Sequence, residues 1–405
     1  MAAPTTAGRP GPPMLEIPAT PEMADRAFPQ ARIQQGNPWL RLAVLVGAVG
    51  YGFIGSTYWI FIIQMSFLMG IVALGTMIVV GYARETTLMQ AGLTGSAIYI
   101  SGWAYRDNYD GLSLPFPVAA LMGIAAVVAL SVVVALISAR LNPIYIMVLT
   151  LAAQFTLENS LFTQGKLTGG LQAPIVPRPN FFGISMRNER YFYFFLLAVT
   201  VCCVLLVDRF RHCRFGRAML VVGYDKAAAA AMGINPWRYK VAAFAMGGLF
   251  AGIGGALWAP QLGAPPGVQQ FYAMQSLFYL AIPVFAGFES VIAVVLTGMF
   301  FMALPMALEQ HHFQPELLGG VCLIAGVLMG PRGVFGSLGD LGRKWRATVA
   351  REGVRGLVVQ PRVPRALLAH RDRRGTRELT KLRGSDEGTP WQEAPGNSRL
   401  RTIVS

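Results

Sequence analysis

The residue types that carry out catalysis are sparse in this sequence, and none stands at a catalytic spacing. No HExxH motif is present, in which two histidines one helical turn apart would bind zinc. The GxSxG motif, which presents a nucleophilic serine on a tight turn, is absent as well. The histidines are His212, His311, His312 and His370. We therefore predict no catalytic residues and do not expect an enzyme.

Nucleotide hydrolysis by this chain alone is not expected either. The P-loop pattern GxxxxGK[ST] places a hydroxyl group on Mg²⁺, and the segment Gly165-Lys166-Leu167 lacks that Ser or Thr. The cysteines have no CxxC spacing and no second pair, so no metal site is predicted. They are Cys202, Cys203, Cys213 and Cys322. Energy for any active process must come from a partner or from an ion gradient.

Ionisable residues inside apolar segments would indicate an ion-coupled carrier, because a charge buried in a membrane is costly and is retained for function. The candidates are Glu158 near the end of one segment, Asp208 at a border, and Glu309 beside His311 and His312. Each is more simply interpreted as an interfacial residue. Their scarcity counts against an ion-coupled secondary carrier acting alone, which stays open as an alternative.

The most informative segment lies at about 209–240. Five alanines follow Asp225 and Lys226, and Met232 and Gly233 come just before Pro236. Alanine is the best helix former, glycine ends helices and proline starts them, so the pattern predicts a short helix, a break and a new helix. A short rigid helix between membrane spans is a natural docking element. An ordinary basic loop is the alternative.

Long apolar segments must position these residues. The chain is 54% hydrophobic and 13% charged, with a mean hydropathy of +0.48. Soluble domains carry about 25% charged residues, so the apolar surface must face lipid. We predict an all-α, polytopic transmembrane helix bundle of about ten spans. These are residues 39–82 folded once near Gly55, Ser56 and Thr57, then 88–104, 116–139, 143–161, 191–208, 241–262, 270–286, 291–310 and 316–331.

Basic residues in short loops favour the cytosolic side of a membrane. The loop between about 208 and 241 is rich in them and should be cytosolic. Counting from it places Arg84 and Arg140 inside, the acidic loop around Asp107 and Asp110 outside, and both termini in the cytosol. The loop 164–190 does not fit this topology, because it would lie outside the cytosol yet carries four basic residues. These are Lys166, Arg178, Arg187 and Arg190.

Both ends of the chain have the composition of disordered cytosolic tails. Residues 1–38 hold eight prolines and no apolar stretch, and the segment 341–405 is basic with scattered Gly and Pro. The +14 formal net charge is concentrated there, with fifteen Lys or Arg against six Asp or Glu from Arg343 onward. Contact with lipid headgroups explains such a tail, and no nucleic acid partner is predicted.

At the cytosolic loop the sequence resembles the permeases of ABC transporters for branched-chain amino acids, specifically the LivM-like half of the LivH/LivM pair. Similarity is strongest across residues 214–259 and extends over most of 60–340. It is carried by Arg214-Phe215-Gly216-Arg217-Ala218, Ala231-Met232-Gly233-Ile234-Asn235, Arg238-Tyr239-Lys240, Gly252, Gly255, Val79-Val80-Gly81-Tyr82-Ala83, Thr168-Gly169-Gly170 and Pro331-Arg332-Gly333.

This resemblance implies a permease domain at 39–340 in a multi-pass protein of the plasma membrane. It implies a second permease subunit, two ATP-binding cassette ATPase subunits and an extracytoplasmic solute-binding protein as partners. ATP and Mg would bind the ATPase subunits, and this chain would bind no cofactor. A helix from about Asp225 to Met232, ended by Gly233, would dock in a groove of the ATPase. The docking residues implied are Arg217, Asp225, Lys226, Ala230, Met232 and Gly233.

Three departures from the family pattern stand out. Ala230 replaces a usual Glu, and charges are lost around Val222 and Gly223. A Gly-Gln-x-Ser pattern is replaced by Arg84-Glu85-Thr86-Thr87, and Glu289 stands where the family has Gly. We expect docking through different contacts. A substrate other than leucine, isoleucine or valine, or a divergent permease that no longer transports, stays open.

The translocation path should be lined by uncharged polar groups on otherwise apolar spans. The candidates are Gln154, Gln275, Ser276 and Tyr279. The alternative for each is a hydrogen bond to a neighbouring helix and no more. The expected substrate is a branched-chain amino acid or a similar small polar solute. A urea or simple-sugar ABC permease and a non-transporting scaffold are the remaining alternatives.

Overall fold

The computed structural model describes residues 38–106, 111–138, 141–168, 176–181, 184–185, 188–288 and 290–307, together with Val321 and Ile324. Helices dominate this part of the chain. They are α1 Pro38–Ile54, α2 Thr57–Met77, α3 Gln90–Tyr105, α4 Phe116–Ser138, α5 Pro143–Ser160, α6 Gly165–Thr168, α7 Glu189–His212, α8 Arg214–Tyr224, α9 Lys226–Ala231, α10 Pro236–Leu262, α11 Ala273–Ala286 and α12 Val291–Ala307.

Short elements complete the description. A π-helical turn, Ile78–Tyr82, continues α2, and a 3₁₀ turn, Val268–Phe271, precedes α11. The strands Asn180–Phe181 (β1) and Ile184–Ser185 (β2) form a two-residue antiparallel pair, with Asn180 opposite Ser185. Apart from this strand pair, the predicted all-α class is confirmed for the described residues.

Four helical segments of the described chain are long and apolar enough to cross a membrane. They are Thr57–Tyr82, Phe116–Ser138, Glu189–His212 and Pro236–Leu262. Shorter apolar helices cover Ala43–Ile54, Ala273–Ala286 and Val291–Met306. The total of ten spans and the cytosolic termini stay predictions. Most of the predicted span 316–331 lies outside the described residues, as do residues 1–37 and 341–405.

Burial is inverted relative to a water-soluble protein. In α2 the most apolar stretch is 94% buried, whereas in α4 it is only 28% buried although α4 is the more apolar helix. The outward side chains of α4 include Leu121, Val133 and Ile137. Because lipid tails are apolar, such residues need no protein partner in a bilayer. The core therefore lies around α2, with α4 at the periphery.

Glycines allow α10 to pack closely on α2, α3 and α4. A Cβ atom at Gly248 would lie 2.7 Å from Ser131 Cβ on α4, and one at Gly255 would lie 2.5 Å from the carbonyl oxygen of Thr94 on α3. Small residues permit such approach between membrane helices. Gly248 and Gly255 therefore lie where any larger residue would push α10 away from α4 and α3.

The segment 83–89 turns back into the bundle before α3 begins. Gln90 Nε2, at the start of α3, lies 3.5 Å from the carbonyl oxygen of Val72 and 3.4 Å from that of Gly247. Val72 precedes Tyr82 by ten residues, which is about 15 Å along a helix at 1.5 Å per residue. The segment 83–89, referred to below as the re-entrant segment, thus carries the chain from the end of α2 to a helix start inside the protein.

Part of the positive charge in the loop 164–190, which did not fit the predicted topology, is compensated by an ion pair. Arg178 lies 2.7 Å from Glu189 at the start of α7, and its guanidinium lies over the Phe192 ring at 5.4 Å. This positive charge is therefore compensated within the protein. Arg190 is exposed, whereas Arg187 and the side chain of Lys166 lie outside the described residues.

Candidate functional site

The segment predicted to dock forms two short helices, α8 and α9, between the long helices α7 and α10. Asp225 caps α9, because its Oδ1 accepts hydrogen bonds from the backbone N–H groups of Ala227 (2.8 Å) and Ala228 (3.1 Å). Asn235 caps α10 by accepting from Trp237 N at 3.1 Å. The predicted order of short helix, break and new helix is confirmed.

A left-handed residue ends α9. Gly233 has φ +77°, a conformation that glycine adopts at little cost, and its N–H donates to the carbonyl of Ala230 at 3.0 Å. The N–H of Ile234 donates to the carbonyl of Ala229 at 3.0 Å. Both ends of α9 are thereby fixed, so this helix of six residues is held as a rigid projection.

The predicted docking residues all lie on the exposed surface of the protein. Met232 is 62% exposed, although it is apolar. Large exposed apolar groups outside a lipid-facing surface mark interaction sites. All six are exposed: Arg217, Asp225, Lys226, Ala230, Met232 and Gly233.

A buried carboxylate connects this segment to the membrane helices. Glu85, in the re-entrant segment, has a side chain that is 2% exposed. Its Oε1 lies 2.8 Å from Lys226 Nζ on α9 and 3.4 Å from Lys240 Nζ on α10. Lys240 is buried too, and its Nζ donates to the carbonyl of Ser138 at the end of α4 at 2.9 Å. These three charged residues, Glu85, Lys226 and Lys240, form what we term the Glu85 cluster.

The residue before Glu85 holds α8 in place. Arg84 has φ +54° and its guanidinium carbon lies 3.8 Å from the centroid of the Tyr224 ring. A left-handed conformation in a residue other than glycine costs on the order of 1 kcal/mol or more, and a cation–π contact offsets part of that. A Cβ atom at Gly223 would overlap the carbonyl oxygen of Tyr82. The end of α8 therefore lies directly on the end of the π-helical turn.

A set of polar side chains accepts hydrogen bonds from the backbone N–H groups at the start of α3, inside the bundle. The first N–H groups of a helix have no partner within it, and within a membrane no water can supply one. Three side chains on α5 and α11 supply acceptors here, and we term them the capping network. Leu88 N donates to Thr150 Oγ1 (3.1 Å), Ala91 N to Ser276 Oγ (3.2 Å) and Gly92 N to Gln154 Oε1 (2.7 Å).

Gln154 uses its whole hydrogen-bonding capacity in this network. Its Oε1 also accepts from Ser276 Oγ at 3.2 Å, and its Nε2 donates to the carbonyl of Phe271 (2.7 Å) and to Glu158 Oε1 (2.9 Å). A side-chain amide has two donor hydrogens and two acceptor lone pairs, so all four are used. Gln154 thus forms hydrogen bonds to neighbouring helices. This is the alternative that the sequence left open to a role in lining the path.

The other two predicted path residues lie on α11. Tyr279 is buried one turn after Ser276. Gln275 is half-buried and, as a sequence neighbour of Ser276, points about 100° away around the helix. The structure therefore brings Gln154 and Ser276 into contact and leaves Gln275 on another side. A place for these residues in a translocation path stays a prediction.

The structure also places the candidates for ion coupling. Glu158 accepts from Gln154, and Asp208 Oδ1 lies 3.8 Å from Arg211 Nε. Glu309 lies outside the described residues. Sequence reasoning missed Glu85 and Lys240 as buried charges. The only signal was that both belong to family motifs, Glu85 as a departure and Lys240 as a match.

Comparison with known proteins decides the family. The model of the family described as "Branched-chain amino acid transport system / permease component" matches residues 58–329. The chain belongs to this family. It is therefore a transport subunit and not an enzyme, and a multi-pass protein of the plasma membrane.

Two curated relatives of this permease have the same name, "High-affinity branched-chain amino acid transport system permease protein LivM". One is from Escherichia coli (strain K12) and the other from Salmonella typhimurium (strain LT2). Each is 26% identical to this permease over 321 residues, which cover 73% of this chain and 74% of the relative. No solved structure matches.

The capping network gives the first prediction. Replacing Gln154 by Ala should leave the N–H of Gly92 and the carbonyl of Phe271 without partners at membrane depth, at a cost of about 1–3 kcal/mol for each. The purified variant should unfold at a clearly lower temperature than the wild type in detergent. Thr156→Ala, on the same helix, is the control, because Thr156 is exposed and bonds only its own helix. Equal melting temperatures for the two variants would contradict the network.

Proposed function

We propose that this permease is one of two membrane subunits of an ATP-driven importer for branched-chain amino acids. A second permease subunit would complete the translocation path. Two ATP-binding cassette ATPase subunits would bind ATP and Mg, and an extracytoplasmic solute-binding protein would deliver the solute. The observation that carries this proposal is the family match over residues 58–329, which contains the docking segment and the capping network.

The docking segment supports the ATPase as a partner. α9 is short, capped at both ends and exposed, so it presents a fixed shape to a groove. Its Ala227, Ala228 and Ala230 side chains are small and exposed, and Met232 adds an apolar side chain beyond its end. Because no charge stands on α9 after Lys226, we infer that shape and apolar contact dominate docking.

The capping network supports a path beside α3, α5 and α11. Gln154 and Ser276 would fix the start of α3 and so determine the width of the path, without themselves binding solute. Gln275 and Tyr279 would be nearer to the solute. Both relatives are named as permeases for branched-chain amino acids, which supports leucine, isoleucine and valine over urea or a simple sugar.

Docking can be tested at Gly233 with a matched control at Gly263. Both glycines have positive φ, +77° and +79°, and no atom lies within 4 Å of a Cβ built at either. They stand at opposite ends of α10, so Arg introduces the same backbone strain on the two sides of the membrane. Gly233→Arg should abolish co-purification of a P-loop ATPase in mild detergent, whereas Gly263→Arg should retain it.

Other outcomes of that experiment are equally informative. Loss of the ATPase from both variants would assign the effect to backbone strain and contradict docking at α9. A wild-type protein that purifies without any ATPase would overturn the importer and favour a carrier acting alone or a scaffold.

The substrate class is tested by uptake. The complex reconstituted in liposomes with its solute-binding protein should accumulate labelled leucine, isoleucine or valine only when ATP is supplied on the side of the ATPase. Urea and simple sugars should not accumulate. ATP-dependent accumulation of urea without any of the three amino acids would contradict the proposed substrate, and uptake driven by an ion gradient without ATP would contradict the mechanism.

A further inference from the structure

We propose that Glu85 is the positioning residue that transmits movement of α9 to the start of α3. This inference rests on the proposed function, because it assumes that an ATPase acts on α9. It assigns a role to a buried carboxylate of the re-entrant segment that is distinct from docking itself and from contact with solute.

The link between α9 and Glu85 is a charged contact at the edge of the protein interior. Lys226 Nζ lies 2.8 Å from Glu85 Oε1, with the lysine side chain 47% exposed and the glutamate side chain 2% exposed. A buried carboxylate that loses one of its charged partners is less well compensated for its desolvation. Because the contact with Lys226 is the shorter of the two that Glu85 makes with lysines, Glu85 is favoured to follow Lys226 when α9 moves.

A second lysine gives this carboxylate a fixed reference. Lys240 Nζ lies 3.4 Å from the same oxygen, and its side chain is only 6% exposed. Its bond to the carbonyl of Ser138 ties it to α4. Glu85 thus lies between an exposed lysine on α9 and a buried lysine on α10, and a shift of α9 changes the balance between the two contacts.

A short piece of the re-entrant segment connects Glu85 to the start of α3. Leu88 is the third residue after Glu85, and at about 3.3 Å per residue that is on the order of 10 Å of extended chain. Leu88 N is already bonded to Thr150, and the N–H of Glu85 donates to the carbonyl of Val79 in the π-helical turn at 3.2 Å. With both ends held, the segment has little slack, so displacement of Glu85 must act on α3 or on the π-helical turn.

Arg84 supplies a second connection on the same side. Its guanidinium lies on Tyr224, the last residue of α8, immediately before the residue that caps α9. Adjacent residues of the re-entrant segment therefore contact the last residue of α8 and the first of α9. The segment is held to the docking helices at two points, and it is continuous with the helix whose start the capping network fixes.

The test uses the complete complex in nanodiscs, with ATPase activity measured with and without the solute-binding protein and leucine. Glu85→Gln keeps the side-chain size and removes the charge. We expect the ATPase subunits to co-purify and basal ATPase activity to be unchanged. Stimulation by loaded binding protein should fall about tenfold or more, within the range of ordinary coupling free energies.

Lys226→Met and Lys226→Arg test the same contact from its exposed side, where a substitution disturbs the buried core less than one at Glu85. Because Lys226 is also a predicted docking residue, co-purification of the ATPase is scored together with its activity. Lys226→Met leaves Glu85 paired with Lys240 and should lose stimulation like Glu85→Gln while the ATPase stays bound, and Lys226→Arg should retain stimulation. Glu189→Gln is the matched control, because it breaks a 2.7 Å ion pair with Arg178 away from the docking segment. It should retain stimulation.

Two results would overturn the inference and are distinguishable from each other. Full stimulation in Lys226→Met or in Glu85→Gln, with ATPase bound, would show that Glu85 does not couple the elements and would leave the importer intact. A wild-type complex that binds ATPase but shows neither stimulation nor uptake would overturn the proposed function together with the inference.

Discussion

A helix that begins inside a membrane protein must have its first N–H groups satisfied by side chains, because neither water nor lipid can satisfy them. α3 imposes this constraint here, and much of the arrangement follows from it. Thr150 and Gln154 must stand on the face of α5 that meets α3, and Ser276 must do so on α11. The re-entrant segment exists because the chain has to travel from the end of α2 to that buried start.

The same constraint explains why charged residues collect where they do. A chain that re-enters the bundle buries its own side chains, and Glu85 is one of them. A buried carboxylate is tolerated when it is paired, and the two lysines that pair with it come from α9 and α10. Since α9 is also the exposed helix of the docking segment, a requirement of burial produces a connection between the surface that carries α9 and the interior of the helix bundle.

Local signals were sufficient for the parts of the fold that depend on local chemistry. The turn near Gly55 and Thr57, the alanine helix α9 and its glycine stop follow from helix propensity and capping, and the structure has each of them. Depth could not be predicted in the same way. The predicted span 88–104 covers α3 except for its last residue, Tyr105, yet nothing in its hydropathy indicates that the helix starts inside the bundle. Likewise Gln154 is a lone polar residue in the sequence of its helix, and its hydrogen-bond partners include Ser276, which is 122 residues away along the chain.

The departures from the family pattern are compensated within the structure. Arg84 stands where the family has Gly, in a conformation that glycine favours, and Tyr224 holds it there. Glu85 stands where the family has Gln, and two lysines neutralise it. Such matched contacts favour a working permease over a degenerate scaffold. Ala230 is exposed on α9, and Glu289 lies outside the described residues.

The most direct measurement is an electron cryomicroscopy structure of the assembled complex in two states, without nucleotide and trapped with a non-hydrolysable ATP analogue. We expect an ATPase subunit bound to Lys226–Ala231 and Gly233, and a Glu85 carboxylate that keeps a lysine partner within about 4 Å in both states. The start of α3 should shift together with α9 between them. An ATPase bound elsewhere, or an α9 that moves while Glu85 and the start of α3 stay in place, would contradict it.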